Sequence, residues 1–232
     1  MFIGRERELE QLCETFKQKH SATLVYGKRR VGKTTLIMQA LGKQNKPYVY
    51  YECLKGTMRE NIDGLTQQLT QLKLLNFATT FSTMQDVFAY LNSLSKELIV
   101  VIDEYPYLKA LTPAETVDST FQSIIDNQLE NINLVVSGSH IGMMRDMLKE
   151  GNALYGRFGC VMQLKELTYR TAASFYSTKP AYDKVAFYAV FGGSPYVLEQ
   201  LQADKTVREN IIRTILNESN PVYMYASHFL MS

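Results

Sequence analysis

The sequence predicts an α/β fold in which a parallel sheet of about five strands is flanked by helices and followed by a small helical lid. Short runs rich in β-branched residues alternate with longer amphipathic segments, which is typical of strand-helix-strand units. A glycine-rich motif directly follows the first of these runs, and strand-like runs stop after Thr168. The sheet is therefore expected in the first part of the chain and the lid in the last.

The strands are predicted from apolar runs. Each run is nearly continuous, as expected for strands that helices cover on both faces. The clearest runs are residues 22–26, 48–52, 98–102 and 133–136, and a weaker fifth covers residues 160–164.

The helices are predicted from apolar residues spaced three and four positions apart. Between the second and third strands, Ile62, Leu65, Leu69 and Leu72 build one apolar face, which we assign to the core. Later helices are predicted at residues 169–176, 181–191, 195–202 and 206–217, with a sharp turn at Gly192 and Gly193. We therefore divide the chain into a core domain of residues 1–167 and a helical lid of residues 168–232.

Composition and charge exclude several classes of protein. The 232 residues carry a net charge of +2, so no global field attracts nucleic acid or a membrane surface. Cys13, Cys53 and Cys160 are far apart and belong to no Cys/His cluster, which excludes a disulfide framework and a zinc site. The opening MFIGRERELE has no apolar core of signal-peptide length, and no stretch approaches the roughly 20 apolar residues of a membrane-spanning helix, so neither is expected. We expect a cytoplasmic protein with no membrane partner.

The strongest motif is the run from Gly27 to Thr34, GKRRVGKT, which fits the phosphate-loop (P-loop) pattern GxxxxGK[ST] completely. Such a loop aims backbone N–H groups at phosphate oxygens, and the following helix adds the positive end of its dipole. Lys33 is expected to reach the β- and γ-phosphates, and the Thr34 hydroxyl to ligate Mg²⁺. The remaining nucleotide contacts in the loop are assigned to Gly27, Arg30, Val31, Gly32 and Thr35. For the side chains of Arg29 and Arg30, a phosphate contact and a solvated loop tip both remain open.

A second motif places two carboxylates after a buried strand, in the run LIVVIDE that ends at Glu104. Open α/β sheets bind their ligands at the carboxyl ends of the strands. Asp103 is expected to hold Mg²⁺ through its water shell, and Glu104 to accept the proton of the attacking water. The alternative is that both carboxylates lie at a solvated strand end. The complete phosphate loop earlier in the chain makes this alternative less favoured.

Two further catalytic candidates are Ser139, which follows the fourth strand, and Arg157. Ser139 is expected to contact the γ-phosphate or its water, with a helix N-cap as the equal alternative. His140 is interpreted as a surface or cap residue. Arg157 precedes the fifth strand, where an arginine can stabilise charge on the transferred phosphoryl group, and a surface salt bridge is the alternative.

These motifs in this order resemble the AAA+/STAND group of P-loop ATPases, and most closely the archaeal-type ATPase family. The resemblance is carried by the opening FIGREREL, the loop YGKRRVGKTTL, and the later segments VVIDEYPYL, VVSGSHIGMM, LYGRF and FGGSPY. It implies ATP or ADP with Mg²⁺ as cofactors. It also implies that Phe2, Ile3, Pro195 and Tyr196 flank the adenine, although Pro195 also suits a plain helix start.

The resemblance implies partners as well. Arg157 corresponds to an arginine finger, which oligomeric relatives offer to a neighbouring subunit. Action of Arg157 within its own subunit and action across an interface, with self-association, both remain open. Relatives usually continue beyond the lid into a winged-helix region, and sometimes a nuclease-like domain. A protein or nucleic-acid partner would then be bound by a region that follows the residues of this chain.

Two functions are consistent with these residues. The first is Mg²⁺-dependent hydrolysis of ATP, coupled to movement between core and lid. The second is a nucleotide-operated switch with slow turnover. A guanine-nucleotide switch is disfavoured because no Asn-Lys-x-Asp follows a strand, Asn45-Lys46 running instead into Pro47. A small-molecule kinase is disfavoured by Glu104, which suits hydrolysis.

Overall fold

The structure is a computed structural model that describes residues 2–75, 79–94 and 96–224. It confirms the predicted fold class, because a five-stranded parallel sheet is flanked by helices. Contacts between residues divide the chain into two compact units. The larger unit comprises Glu6–Lys28 and Lys33–Leu164. The smaller comprises Met1–Arg5, Arg29–Gly32 and Lys165–Ser232, of which residues 2–5, 29–32 and 165–224 are described.

The larger unit contains the whole sheet. In chain order its elements are α1 (Glu6–Lys17), β1 (Ser21–Tyr26), α2 (Lys33–Leu41), β2 (Tyr48–Glu52), α3 (Met58–Gln71), α4 (Met84–Ser93), β3 (Leu98–Asp103), a 3₁₀ helix (Tyr105–Lys109), α5 (Ala114–Asn127), β4 (Ile132–Gly138), α6 (Ile141–Asp146) and β5 (Cys160–Gln163). All five predicted strands are confirmed, and their ends shift by at most two residues.

The strands lie in the order β2-β3-β4-β1-β5, and every neighbouring pair is parallel. Every residue of β3 and β4 is buried, whereas the edge strands β2 and β5 alternate between buried and more exposed positions. In the register, Glu52 lies beside Asp103 and Tyr26 beside Gly138. The carboxyl ends of these strands therefore share one edge of the sheet, which is where the candidate site is built.

Helices α3 and α4 each begin with a capping box. Thr57 and Thr83 accept hydrogen bonds from the backbone N–H groups of Glu60 and Asp86, whose carboxylates bond back to the cap residues. The prediction that Leu72 belongs to the core is wrong, because α3 ends at Gln71 and the Leu72 residue is 46% exposed. Its partners Ile62, Leu65 and Leu69 are buried as predicted.

The smaller unit contains α7 (Tyr169–Ala172), a second 3₁₀ helix (Ala173–Tyr176), α8 (Ala181–Phe191), α9 (Pro195–Leu198) and α10 (Val207–Thr214). Its core packs Tyr176, Phe187, Phe191, Leu198 and Val222 together. The turn predicted at Gly192 is confirmed, since this residue ends α8 with φ of 67°. At Gly193 an added Cβ would lie 2.0 Å from the Leu167 carbonyl oxygen, so no side chain fits there.

Two predicted lid helices are shorter than expected. The helix expected over 195–202 ends at Leu198, and the one expected over 206–217 is α10, with Thr206 as its N-cap. After α9 the N–H groups of Gln200 and Leu201 donate to carbonyls three residues back, so the α-helical pattern is lost. The buried Asn210 amide then accepts from the Gln202 N–H and donates to the Gln202 carbonyl. The predicted lid residues 225–232 lie outside the described residues. Among the helices that the structure does describe, none is long and apolar enough to span a bilayer.

Candidate functional site

The centre of the candidate site is the carboxylate of Asp103, at the end of β3. It is buried, with 3% exposure, and accepts four hydrogen bonds. The Thr34 hydroxyl donates at 3.0 Å and the Glu104 N–H at 2.9 Å, and the hydroxyls of Tyr50 and Ser137 also donate. The two predicted metal-binding side chains, Thr34 and Asp103, are thus in direct contact although 69 positions separate them.

Tyr50 and Ser137 were missed by the sequence analysis. Ser137 ends the apolar run of β4 as Asp103 ends that of β3, and this position is the signal in the sequence that could have indicated it. Tyr50 lies on β2, and only the pairing of β2 with β3 brings its hydroxyl to Asp103. Burial and the neighbouring Asp103 carboxylate raise the pKa of the Tyr50 hydroxyl well above its usual range. It therefore stays protonated and donates at neutral pH.

Lys33 is the first residue of α2 and is 6% exposed. Its ammonium donates to the carbonyl oxygens of Gly27 at 3.1 Å and Lys28 at 3.2 Å. A buried ammonium needs such partners, because desolvation disfavours an isolated charge. The contacts hold the positive charge against the first residues of the loop.

The middle of the loop, residues 29–32, belongs to the smaller unit. The backbone has positive φ at Arg30 (65°) and Gly32 (90°). Arg30 is exposed, in agreement with the interpretation as a solvated loop tip, and its guanidinium lies 4.0 Å from the ring centroid of Tyr196. Stacking of this kind keeps the edge of the guanidinium exposed while its face covers the ring.

The predicted adenine-binding residues all belong to the smaller unit. Phe2 and Ile3 are half-buried in the opening segment, and Pro195 and Tyr196 begin α9. Pro195 also lies close to the loop, since a Cβ added at Gly32 would be 3.8 Å from its ring. The four residues therefore share a unit with the middle of the phosphate loop.

Glu104 adopts a left-handed backbone conformation, with φ of 50° and ψ of 43°. Non-glycine residues rarely adopt it, and when they do the surroundings must hold them there. One carboxylate oxygen of Glu104 accepts from the Ser139 N–H at 3.2 Å and from the Ser139 hydroxyl at 2.8 Å. Two predicted catalytic residues are thus brought together.

The alternative interpretation of Ser139 as a helix N-cap is wrong. His140 caps α6 instead, and its imidazole accepts from the Met143 N–H at 3.2 Å. The interpretation of His140 as a cap residue is confirmed. Ser139 is left outside the helix, where its hydroxyl reaches Glu104.

A buried cluster that the sequence analysis did not anticipate anchors the 3₁₀ helix after Glu104. The Asp118 carboxylate accepts from the Tyr105 hydroxyl at 2.8 Å, from the Lys109 ammonium at 2.7 Å and from the Asn152 amide at 2.9 Å. The Lys109 and Asp118 side chains are each 3% exposed. Burial and the Asp118 charge raise the pKa of Tyr105 far above its usual range, so this hydroxyl remains a donor.

Arg157 forms an ion pair with Asp126 of α5, at a distance of 3.0 Å. Both guanidinium Nε and Nη2 donate to the carboxylate. The side chains are 28% and 42% exposed, so the pair lies at the surface. The salt bridge named as the alternative for Arg157 is therefore present.

The donor set at Asp103 fits Mg²⁺. A hydroxyl and a carboxylate supply hard oxygen ligands, and Mg²⁺ is usually held by one or two protein oxygens together with water and phosphate. Residues 2–75, 79–94 and 96–224 contain no group of three or more His, Cys, Asp or Glu side chains arranged to hold a metal ion by themselves. Thr34 and Asp103 are two oxygen donors of the kind that hold Mg²⁺ together with water or phosphate.

The chain is similar to known proteins over most of its length. A family model described as an ATPase domain predominantly from Archaea matches residues 2–201. An uncharacterised protein of Methanocaldococcus jannaschii is 32% identical over 206 residues, which cover 87% of this chain. The chain spans only 44% of the length of that relative.

Several solved structures share the fold. The Walker-type ATPase of Pyrococcus abyssi has a TM-score of 0.69 at 20% identity, covering 90% of this chain and 71% of that one. The Aeropyrum pernix Orc1 protein in complex with DNA has a TM-score of 0.63 at 16% identity, covering 92% and 65%. The RuvB Holliday junction branch migration motor of Thermotoga maritima has a TM-score of 0.54 at 18% identity, covering 93% and 70%.

Proposed function

Because the chain belongs to the family of ATPase domains found predominantly in Archaea, we propose that it binds ATP with Mg²⁺ and hydrolyses it to ADP and phosphate. The observation that carries the proposal is the 3.0 Å hydrogen bond between Thr34 and Asp103. It joins the end of a complete phosphate loop to a buried carboxylate at the ligand-binding edge of the sheet.

The loop and its lysine would hold the phosphates. The N–H groups of the loop, including those of Gly32 and Thr34, act with the amino end of α2, where backbone donors and the helix dipole favour an anion. Lys33 supplies the opposing positive charge, and its ammonium already lies against the loop backbone. Thr35, the third residue of α2, is exposed, and we propose that it contacts the nucleotide near the α-phosphate.

The metal would be held by Thr34 directly and by Asp103 through water. Bound Mg²⁺ neutralises charge on the phosphates as the reaction proceeds. Tyr50 and Ser137 keep the Asp103 carboxylate oriented through their hydroxyl donors. For Thr34 to ligate a metal, its hydroxyl oxygen must offer a lone pair, which it can do while its O–H group continues to donate to Asp103.

Glu104 is proposed as the general base. Its carboxylate is one residue beyond Asp103, and the rigid 3₁₀ helix that follows is anchored by Asp118. Ser139 holds one carboxylate oxygen and leaves the other to accept a proton from water. Arg157 is proposed as an arginine finger, which requires its guanidinium to leave Asp126 for a γ-phosphate bound in its own subunit or in a neighbouring one.

A second function is the nucleotide-operated switch with slow turnover. It is favoured by the contacts that Glu104 and Arg157 already make with other side chains. Glu104 is bonded to Ser139 and Arg157 is paired with Asp126. Arg157 must leave Asp126 before it acts on a nucleotide, and in the switch Ser139 would restrain Glu104. In the switch, nucleotide state controls partner binding and hydrolysis is incidental.

The domain division, the cellular location and the partners of the chain are also proposals. We assign residues 1–167 to the ATPase core of AAA+/STAND type and residues 168–232 to a lid whose movement is coupled to the nucleotide. The three cysteines are free, which suits a reducing cytoplasm. Because the Orc1 structure is a complex with DNA, nucleic acid is one candidate partner, and self-association through Arg157 and a protein partner are others.

The test is release of phosphate from ATP by the purified chain with Mg²⁺, repeated with excess EDTA and with Lys33→Ala. Activity should require Mg²⁺, and Lys33→Ala should abolish or greatly weaken ATP binding measured by calorimetry. Lys17→Ala, which changes an exposed lysine of α1, is the control. Wild-type ATP affinity in Lys33→Ala would show the phosphate-loop assignment to be wrong, and tight binding without turnover would favour the switch.

A further inference from the structure

Arg5 contacts the middle of the phosphate loop within the smaller unit. Its guanidinium Nη2 donates to the carbonyl oxygen of Val31 at 2.9 Å and also to the carbonyl oxygen of Lys165. Arg5 itself has φ of 65°, a conformation that is costly for any residue with a Cβ. Its neighbour Gly4 also has positive φ and packs so closely on Thr171 that an added Cβ would lie 2.2 Å from the threonine methyl. The opening segment is therefore not extended, because both Gly4 and Arg5 have positive φ.

The contact with Val31 determines where a neighbouring donor points. In a trans peptide unit the C=O and N–H groups point in opposite directions, and the part of the chain that the structure describes has no cis peptide bond. Because the Val31 carbonyl is turned toward Arg5, the N–H of Gly32 points away from Arg5. This N–H is one of the donors that a phosphate loop uses.

Ser194 acts in the same way on the preceding peptide unit. Its hydroxyl donates to the Arg30 carbonyl oxygen over a long 3.4 Å, so the N–H of Val31 points away from Ser194. The positive φ values at Arg30 and Gly32 flank Val31, and alternation of this kind makes neighbouring N–H groups converge on an anion. The two carbonyl contacts and the two positive φ values thus set the directions of the same two donors, the N–H groups of Val31 and Gly32.

We propose that Arg5 is a positioning residue for phosphate binding, which holds the Val31 carbonyl so that the Gly32 N–H stays aimed at phosphate oxygens. Ser194 does the same more weakly for the Val31 N–H. The inference rests on the proposed function, since it concerns the same ligand. Arginine suits the role because its donors are fixed in a plane, whereas a lysine ammonium is a single rotating group that holds two carbonyls less rigidly.

The test compares three variants by calorimetry with ATP and with adenosine, each in the presence of Mg²⁺. Arg5→Met keeps the apolar stem and removes the donors, and Arg5→Lys keeps the charge without the planar fork. Arg213→Met is the matched control, because Arg213 donates to the Gln200 carbonyl in the same unit. Thermal unfolding without nucleotide monitors the fold.

Arg5→Met should weaken ATP binding about tenfold or more, in proportion to losing a charge-assisted hydrogen bond and the donor it orients. Adenosine affinity should change by less than about twofold, because adenosine lacks the phosphates. Arg5→Lys should fall between wild type and Arg5→Met, and Arg213→Met should match wild type for both ligands. The unfolding midpoint of Arg5→Met without nucleotide should stay close to that of Arg213→Met.

The outcomes separate this inference from the proposed function. If wild type binds ATP no more tightly than adenosine, the proposed function itself fails. If wild type needs the phosphates but Arg5→Met binds ATP as tightly as wild type, the positioning role is overturned. An equal loss of ATP and adenosine affinity, or a midpoint far below that of Arg213→Met, overturns it as well, because the residue then only supports the fold.

Discussion

Ser139 donates both its backbone N–H and its hydroxyl to the same carboxylate oxygen of Glu104, at 3.2 Å and 2.8 Å. The two residues come from the ends of adjacent strands, β4 and β3. The pair therefore joins the proposed base to the residue proposed to contact the γ-phosphate. A substitution at either residue should therefore affect the function of the other.

Glu104→Gln should leave ATP affinity nearly unchanged and slow hydrolysis about 10²- to 10⁴-fold, the range typical of losing a general base. The amide keeps the shape of the side chain and loses its basicity. The measurement is single-turnover hydrolysis with ATP binding followed in parallel. Equal single-turnover rates for variant and wild type would remove Glu104 from the catalytic residues and support the switch.

Ser139→Ala should lower kcat about tenfold and change KM for ATP by less than about threefold, because a hydroxyl that orients the base is lost while the phosphate loop is intact. Ser119→Ala, an exposed serine of α5, is the control and should behave as wild type. A rise in kcat for Ser139→Ala would mean that Ser139 restrains Glu104, as the switch requires.

Arg157→Ala should cut turnover while sparing ATP affinity, since a finger acts on charge that develops in the transition state. Asp126→Ala breaks the same ion pair and keeps the arginine, so it separates a finger from a salt bridge. Turnover should fall in Arg157→Ala and be retained or raised in Asp126→Ala. Equal losses in both variants would reduce Arg157 to a structural partner of Asp126.

If the finger acts across an interface, specific activity should rise with protein concentration. Mixing Arg157→Ala with Glu104→Gln at high concentration should then restore part of the activity. The restored contacts pair an intact base in one subunit with an intact arginine from its neighbour. Constant specific activity and no restoration would place the arginine in its own subunit.

Asp118→Ala should destabilise the chain by about 3–5 kcal/mol, because the buried Lys109 ammonium loses its carboxylate. The matched control is Asp63→Ala, which breaks the exposed Arg59–Asp63 pair on α3 and should cost less than about 0.5 kcal/mol. Urea denaturation followed by circular dichroism measures both. Similar midpoints for the two variants would contradict the buried network.

The sequence predicted the class of fold and much of the site because those features are local. Phosphate-loop residues such as Lys33 and Thr34 are consecutive, and Asp103 directly ends an apolar run, so spacing alone indicates their chemistry. The lid helices were less accurate. Beyond the end of α9, the backbone of Gln202 bonds to the side chain of Asn210, 8 residues away, and helical periodicity contains no information about such a contact.

By itself, the sequence determined that this is an α/β chain with a phosphate loop and two carboxylates after a buried strand. Only the tertiary structure decided which side chains complete the site. Tyr50 reaches Asp103 because β2 pairs with β3, and Arg5 reaches Val31 across 26 positions. The physical reason is that strand order and side-chain contacts arise from packing between distant segments. The local periodicity of helices and strands contains no information about that packing.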